Sequence, residues 1–289
     1  MLWRGGASKA GYWQTSLSGP VLIVFLVDHS LAALAESGGQ VASSNVARDV
    51  NSWLVDLVLL CSRSVRFWPW ADVSVIVYGN DKKGHVVVES GFIGSLSGRE
   101  IVSIRDIAEN PARMDVVTVS FLDEECGECL QFEQQRPVWV DHIAEGGRGG
   151  APLCSAIVKA CEVVDDWIPR NPESHPPIVI NMSSGGVSDG GPWPFADALT
   201  RRGTRDGKVL FAHTVSAAVP GGAIVFPHDI SQLVGEPAAA LFPCASLVPK
   251  SMHSRFLKLG YDMHRNARFM SVNSDLMPLF RVLPFGTRW

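Results

Sequence analysis

The sequence predicts an α/β protein with a mainly parallel central sheet flanked by helices. Val21–Val27 is a short, uniformly apolar run, and Ile178–Met182 is a short run that is apolar except for Asn181. Both are typical of strands that such a sheet buries on both faces. Between them lies a segment, from about Ser44 to Ser64, in which apolar residues recur at i, i+3, i+4 and i+7, which predicts a helix with one packed face. This alternation of strands and helices favours a Rossmann-like arrangement.

The other elements follow from apolar runs, turn residues and helical spacing. Residues 84 to about 132 contain several strand-like pieces and predict a β-rich excursion from the central sheet. We expect one domain over residues 18–289, preceded by an extension over residues 1–17. Further strands are predicted at Val73–Tyr78, His85–Glu89, Ile101–Ile104, Val116–Phe121, Leu130–Phe132, Pro137–Val140, Lys208–Thr214 and Ala223–Phe226, and helices at about Pro152–Trp167, Pro194–Arg202, Asp229–Phe242, Met252–Gly260 and Leu276–Leu283.

Composition excludes several classes of protein. The chain has 289 residues, of which 46% are hydrophobic and 19% charged, so it has ample apolar surface to form a core. Its net charge of −4 argues against nonspecific binding to nucleic acid, which requires a basic surface. The apolar run Val21–Val27 is far shorter than the ~20 residues of a membrane span. Without a signal-peptide pattern, and with most cysteines in apolar runs, we expect a reduced, cytoplasmic protein.

Three loops rich in small polar residues are predicted to meet at one edge of the sheet. They contain Asp28-His29-Ser30-Leu31-Ala32, Gly149-Gly150-Ala151-Pro152 and Ser183-Ser184-Gly185. In open α/β sheets, ligands bind at the carboxyl ends of the strands, where such loops converge. The sequence therefore places its candidate binding residues there.

In order and position, these loops resemble those of the von Willebrand factor A (VWA) domain. The resemblance implies a metal-ion-dependent adhesion site, in which hydroxyl and carboxylate oxygens hold Mg²⁺ or Mn²⁺. Asp28 and Ser30 match the first two ligand positions. Ala32 and Ala151 stand where the family has Ser and Thr, and Ser184, after Ser183, stands where it has Asp. Because Mg²⁺ demands near-ideal oxygen ligation, we expect metal binding to be lost or strongly weakened.

The resemblance extends over residues 18–288. Within the family, the sequence is similar to one group of bacterial intracellular VWA proteins. The stretches that carry it include Val73–Gly79, Pro176–Asn181, Phe256–Tyr261 and Arg268–Arg288. The resemblance to that group implies that this protein works beside a serine/threonine kinase and a metal-dependent protein phosphatase. The resemblance thus predicts a non-enzymatic scaffold that binds protein partners, without cofactor, nucleic acid or membrane, in a bacterial signalling or stress system.

Two other functions remain open from the sequence. A weak Mg²⁺ or Mn²⁺ site could use Asp28, Ser30 and Asp189, although the sequence favours Asp189 as a cap of the turn that follows it. A hydrolase could use Asp28, His29 and Ser30, but consecutive residues on a strand point in different directions and no Gly-x-Ser-x-Gly motif is present.

The cysteine pair and the tryptophans are considered as further candidates for a zinc site and for a protein interface. Cys126 and Cys129 form a single Cys-x-x-Cys pair at a predicted hairpin tip, which supplies only half of a zinc site.

Trp53 and Trp167 lie on apolar helix faces and are predicted core residues. Trp139, on the predicted edge strand, is open to either role. The tryptophans in loops or termini are candidates for a protein interface, because Trp is enriched at binding hot spots: Trp3, Trp13, Trp68, Trp70, Trp193 and Trp289.

Overall fold

A central sheet of eight strands organises the molecule, with helices on both faces. We describe a computed structural model of the protein over residues 19–29, 46–62, 67–122, 129–141, 150–216, 222–233 and 235–274. The strands are β1 Val21–Asp28, β2 Ala71–Asn80, β3 Val86–Ser90, β4 Val102–Ser103, β5 Arg113–Leu122, β6 Cys129–Val138, β7 Ile178–Ser183, β8 Gly203–Thr204, β9 Gly207–Lys208, β10 Leu210–Val215, β11 Ile224–Val225 and β12 Met270–Val272. The helices are α1 Val46–Cys61, α2 Ile104–Glu109, α3 Leu153–Trp167, α4 Trp193–Arg201, α5 Glu236–Leu241 and α6 Lys250–Lys258.

The order of the strands confirms a mixed α/β architecture of the Rossmann-like kind. Across the sheet the order is β11-β12-β10-β7-β1-β2-β3, and β4 also pairs with β2. The five strands from β12 to β2 pair in parallel, whereas β3, β4 and β11 pair antiparallel at the two sides. The parallel strands therefore end at a common edge, to which Asp28 at the end of β1 and Ser183 at the end of β7 belong.

Strand β1 is buried along its whole length, as its apolar sequence predicts. Alternate residues serve the two faces of the sheet: Phe25 packs with the α1 side of the core, and Leu26 with the α3 side. The predicted core tryptophans are confirmed, since Trp53 is 3% and Trp167 1% exposed. Trp139 also belongs to the core.

The predicted excursion is more regular than the sequence indicated. Its main feature is a long antiparallel ribbon, in which the ten residues of β5 pair with the ten of β6. The short pieces predicted at Val116–Phe121 and Leu130–Phe132 are thus parts of two much longer strands. The segment predicted as a strand over Ile101–Ile104 instead contains the two-residue β4 and leads into helix α2, for which Ser103 supplies the N-cap.

One predicted helix needs correction, and one strand was missed. The helix expected over Asp229–Phe242 is broken into a 3₁₀ turn, the six-residue α5 and a second 3₁₀ turn. Gly235 interrupts it with φ +95°, and Pro237 occupies the first turn of α5, where it needs no amide donor. Strand β12 was not predicted. The predicted helix Leu276–Leu283 and the Cys126 turn lie outside the described residues.

None of the helices in the described ranges is long and apolar enough to cross a bilayer.

Three cysteines are buried (Cys61, Cys154 and Cys244), and Cys161 is half-buried. These four cysteines are free thiols.

The root of the ribbon is anchored to helix α1 by one buried amide. Asn51 Oδ1 accepts hydrogen bonds from the backbone N–H of Trp139 at 2.9 Å and of Val140 at 3.1 Å. Its Nδ2 donates to the Val140 carbonyl at 2.7 Å. One side chain therefore satisfies three backbone groups in the core.

We predict that Asn51→Ala lowers the free energy of unfolding by about 2–4 kcal/mol, because it strands buried backbone donors and an acceptor. Urea unfolding followed by tryptophan fluorescence measures this loss. The matched control is the exposed Asn266→Ala, which should change stability by less than about 0.5 kcal/mol. Equal stability of the two variants would contradict the anchoring role.

Candidate functional site

The candidate site is the edge of the sheet at which the parallel strands end. We call it the crown and define it by the described residues 28–29, 150–155 and 183–195. Asp28 ends β1 and is 1% exposed. Its Oδ2 lies 3.3 Å from both the backbone nitrogen and the hydroxyl of Ser184, each of which donates to it. The first and third predicted loops therefore meet in the structure.

The second and third loops also meet. The backbone N–H of Ser188 donates to the carbonyl of Ala151 at 3.0 Å. Gly150 adopts φ +81°, and a Cβ there would lie 2.7 Å from the Ser188 hydroxyl oxygen. Glycine is favoured at this position by its positive φ, and a Cβ there would also displace the Ser188 side chain. The described parts of all three predicted loops thus form one surface.

Asp189 has a specific structural partner. Its Oδ1 accepts from the backbone N–H of Cys154 at 3.0 Å, and its Oδ2 from the backbone N–H and hydroxyl of Ser155 at 2.8 and 2.9 Å. Burial acts to raise the pKa of this carboxyl, but the hydrogen bonds outweigh it and hold the pKa below its ordinary value. Asp189 caps helix α3 across the crown; it does not cap the turn that follows it.

The pKa of the neighbouring Cys154 thiol is shifted in the opposite direction. Burial, reinforced by the Asp189 carboxylate, raises the pKa of Cys154 to about 12. Cys154 is therefore a neutral thiol at physiological pH and a poor nucleophile.

A buried polar cluster lies beneath the crown, and sequence reasoning missed most of it. Tyr78 Oη donates to Asn181 Oδ1 at 2.7 Å, and Asn181 Nδ2 donates to Ser183 Oγ at 3.2 Å. Asn181 Nδ2 also lies 3.2 Å from His213 Nδ1, which must accept because an amide nitrogen only donates. Three strands, β2, β7 and β10, thus contribute to one network on the α3 side of the sheet.

Burial controls the charge of this cluster. It raises the pKa of Tyr78 well above the ordinary value, with the negative charge of Asp28 adding to the effect. Burial also lowers the pKa of His213 to about 3, so the imidazole is neutral. Within the described residues, His213 Nε2 has no hydrogen-bond partner. The sequence contains one signal of this cluster: Asn181 and His213 are polar residues inside predicted buried strands.

Of the other predicted site residues, three lie in the part of the chain that the structure describes and two do not. Ala151 is 5% exposed, Ser183 is buried, and the Ser183 Oγ accepts from the Gly185 N–H at 3.2 Å. His29 is half-buried and lies against Gly79, where an added Cβ would approach the His29 Cβ to 2.7 Å. Ser30 and Ala32 lie outside the described residues.

The described part of the crown also carries exposed aromatic groups. Helix α4 begins there, after the loop that follows β7, and its first turn exposes 55% of Trp193 and 37% of Phe195. Of the other loop tryptophans predicted as interface candidates, Trp68 is 47% exposed. In the described ranges, His, Cys, Asp and Glu side chains nowhere gather in groups of three or more that could hold a metal ion.

Comparison with known proteins identifies no family. No family model matches the chain, and no curated protein matches it. Among solved structures, proximal thread matrix protein 1 from the mussel byssus is similar over 68% of this chain, with 13% identity and a TM-score of 0.38. The similar region spans only 38% of that protein, and a likeness of this size carries no argument about function.

The neutral state of His213 has a consequence for stability. In the unfolded chain its pKa returns to about 6.5, so the unfolded state binds the extra proton between about pH 6.5 and 3. Stability from this group is therefore complete above pH 6.5 and is lost as the pH falls toward 3. We predict that His213→Gln, which keeps a hydrogen-bond acceptor, removes roughly 2–3 kcal/mol of the stability difference between pH 7.5 and 4.5.

Urea unfolding of the wild type and the variant at both pH values measures this difference. His253→Gln is the control, because it makes the same substitution at a half-buried position on helix α6. An unchanged pH dependence in His213→Gln would contradict a neutral buried imidazole.

Proposed function

We propose that this chain is a VWA-like domain that binds a protein partner through its crown without a catalytic step. The resemblance in the sequence supports the family, and a mainly parallel sheet flanked by helices is compatible with the fold that it implies. The observation that carries the proposal is the crown itself: its described polar groups bond to one another, while Trp193 and Phe195 remain exposed.

The geometry favours a contact that does not require a divalent cation. A metal site needs several oxygen atoms free to converge on one point. Here Asp189 uses both of its oxygens at the start of α3, and Ala151 offers no side-chain oxygen. Ser184 replaces the expected carboxylate and donates its hydroxyl to Asp28.

The same geometry disfavours the hydrolase alternative. Asp28 turns toward Ser184, whereas His29 lies against Gly79, in keeping with the alternation of side chains along a strand. A Ser–His–Asp relay requires the base to be held by the acid, within hydrogen-bond reach. We therefore propose that neither residue is catalytic.

Exposed aromatic side chains supply the binding energy in this proposal. Trp193 and Phe195 offer large apolar surfaces beside hydroxyl and backbone groups, a combination typical of protein-binding hot spots. Following the sequence resemblance, we propose that the partner belongs to a bacterial signalling or stress system that contains a protein kinase or phosphatase.

The metal alternative predicts a different response to Mg²⁺. We expect about 10 mM Mg²⁺ or Mn²⁺ to leave the melting temperature of the wild type unchanged relative to EDTA, since a ligand stabilises only a state that binds it. We expect Asp189→Ala to lose about 1–2 kcal/mol in both conditions, because α3 loses its cap. Differential scanning fluorimetry and urea unfolding measure the two quantities.

The control is Asp166→Ala, which removes an exposed carboxylate paired with Arg170 and should cost little stability. If Mg²⁺ stabilises the wild type but not Asp189→Ala, the weak metal site at Asp28, Ser30 and Asp189 replaces our proposal.

The proposed interface is tested by Trp193→Ser. We expect this variant to lose at least about tenfold of the partner protein captured by the wild type, as is usual for a tryptophan at a hot spot. Affinity purification from cells that produce the protein naturally, followed by quantitative mass spectrometry, measures the captured amounts.

Trp68→Ser is the matched control, because Trp68 is similarly exposed but lies before β2, away from the crown. Undiminished capture by Trp193→Ser would place the interface elsewhere.

A further inference from the structure

Strand β3 closes the central sheet on one side, and its outer edge is open. It pairs antiparallel with β2, and within the described residues no other strand pairs with it. On the opposite side the sheet ends in β11, which has only two residues. Because an unpaired edge offers a row of backbone donors and acceptors, it is a template for a further strand. We call residues 85–89 the edge segment.

The hydrogen bonds to β2 show which backbone groups of β3 face outward. Just after β3, the Gly91 N–H donates to the Val75 carbonyl at 2.8 Å. In an antiparallel pair only alternate residues bond to the partner strand, so the residues at even distances before Gly91 face β2. The N–H and C=O groups of Val86 and Val88 therefore point away from the sheet. The described part of the chain contains no hydrogen-bond partner for them.

The side chains of the edge segment also suit strand pairing. Its sequence is His85-Val86-Val87-Val88-Glu89, in which β-branched residues lie between two polar ends. Val86 is 54% exposed, and Val87 and Val88 are half-buried. Edge strands are commonly protected from pairing by Lys or Pro, and β3 contains neither. The edge segment thus presents backbone groups and apolar side chains to a further strand.

The order of residues in the edge segment is complementary to itself. In a twofold antiparallel pair each residue keeps its face of the sheet, so opposite residues are an even number of positions apart. With Val87 opposite the same residue of a second copy, Val86 lies opposite Val88, and His85 lies opposite Glu89. The outward backbone groups of the two copies then meet, and each polar end meets the other.

The polar ends are able to form this contact. Glu89 is exposed and forms no ion pair among the described residues. His85 Nδ1 lies 3.0 Å from Asp81 Oδ2, and it must donate because a carboxylate only accepts. A protonated imidazole donates through both nitrogens, which leaves Nε2 for Glu89 of a second copy. The His85 side chain is 72% exposed and therefore accessible.

We propose that two copies of the chain form a symmetric dimer by antiparallel pairing of their edge segments, with Val87 at the twofold axis. The N–H and C=O groups of Val86 bond to those of Val88 in the second copy, and the reverse pair bonds in the same way. Cross-strand contacts between the valines, and between His85 and Glu89, add to these bonds. The dimer joins the two central sheets into one.

The free edges of the ribbon suit a second copy less well. Within the described residues β5 and β6 pair only with each other, so their outer edges are open too. The charges on β5 that could match in a symmetric pair, Arg113 and Asp115, already pair with each other, and Arg113 also pairs with Asp141. On β6, Glu133 and Arg136 lie on opposite faces, because an odd number of positions separates them, so no symmetric pair brings them together.

Sedimentation velocity of the full chain over a range of concentrations measures the dimer. We expect a reversible dimer in the wild type and one at least about tenfold weaker in Val86→Pro, because proline removes an outward N–H from both copies. The bonds from β3 to β2 are kept, since residue 86 faces away from β2. A wild type that stays monomeric up to about 100 µM, or a Val86→Pro dimer as tight as that of the wild type, would overturn the proposal.

A charge reversal tests the contact between the polar ends. Glu89→Lys should weaken the dimer about fivefold or more, since it brings two cations together at each end of the pair. Glu133→Lys is the matched control, because it makes the same change at an exposed strand position on β6, and it should leave the dimer unchanged. Circular dichroism should show all three variants folded. Equal weakening by the two reversals would contradict the proposed pairing.

Disulfide cross-linking tests the register. Val87 lies opposite itself at a position without inter-strand backbone bonds, where opposite side chains approach most closely. Val87→Cys should therefore form a disulfide between two copies by exchange with oxidised glutathione, which is reduced to two thiols. Glu89→Cys should not, because its opposite residue is His85. Non-reducing electrophoresis measures the linked fraction, and the wild type gives the background from the native cysteines. Equal cross-linking of the two variants would overturn the register and the dimer with it.

Discussion

The complete burial of β1 is the constraint on which the rest of the structure depends. All eight residues of the strand are buried, and β2 and β7 pair with it in parallel on its two sides. Seven of these residues are apolar, and the eighth is Asp28. Burying a carboxylate is costly unless it finds hydrogen-bond donors. The position of Asp28 therefore determines where the loop after β7 must lie, because the N–H and hydroxyl of Ser184 are donors to it.

The polar cluster beneath the crown follows from the same constraint. Parallel pairing sets Asp28 beside Tyr78 and Asn181 beside His213, so polar residues from neighbouring strands are brought to one depth in the sheet. In a medium of low polarity, partly satisfied groups are expensive, and networks that join them specify a unique arrangement. Asn181 serves this purpose by linking three side chains from three segments. The crown thus rests on a support that is hydrogen-bonded rather than merely packed.

Much of the fold could be predicted from local pattern, because β1, β7 and α3 have strong and simple signals. Strand β12 could not, since three residues, Met270–Val272, are too few for any periodicity to be visible. The length of the ribbon was missed for another reason: outside Val117–Phe121 its strands show little alternation of polar and apolar residues. Helix α2 was missed because six residues carry little helical period, although Ser103 was available as its cap.

The candidate site was predictable as a place but not as a set of contacts. The three loops could be assigned to one edge because the strands before them were recognisable. The role of Asp189 could not be assigned, because its bonds to Cys154 and Ser155 join residues more than thirty positions apart. His213 and Tyr78 could not be assigned to a shared network, because they lie on different strands and only the pairing of the strands in the sheet brings both to Asn181.

The role of Asp189 also bears on how the crown can act. A carboxylate that caps a helix is held by the two N–H groups at the start of that helix, and moving it to a cation would leave those donors unpaired in a half-buried position. A cation at Asp28 would then have to offset the loss of a cap as well as its own dehydration. The protein partner that we propose faces no such competition, because Trp193 and Phe195 already lie at the surface. In the proposed function, the arrangement that stabilises α3 therefore also disfavours a cation at the crown.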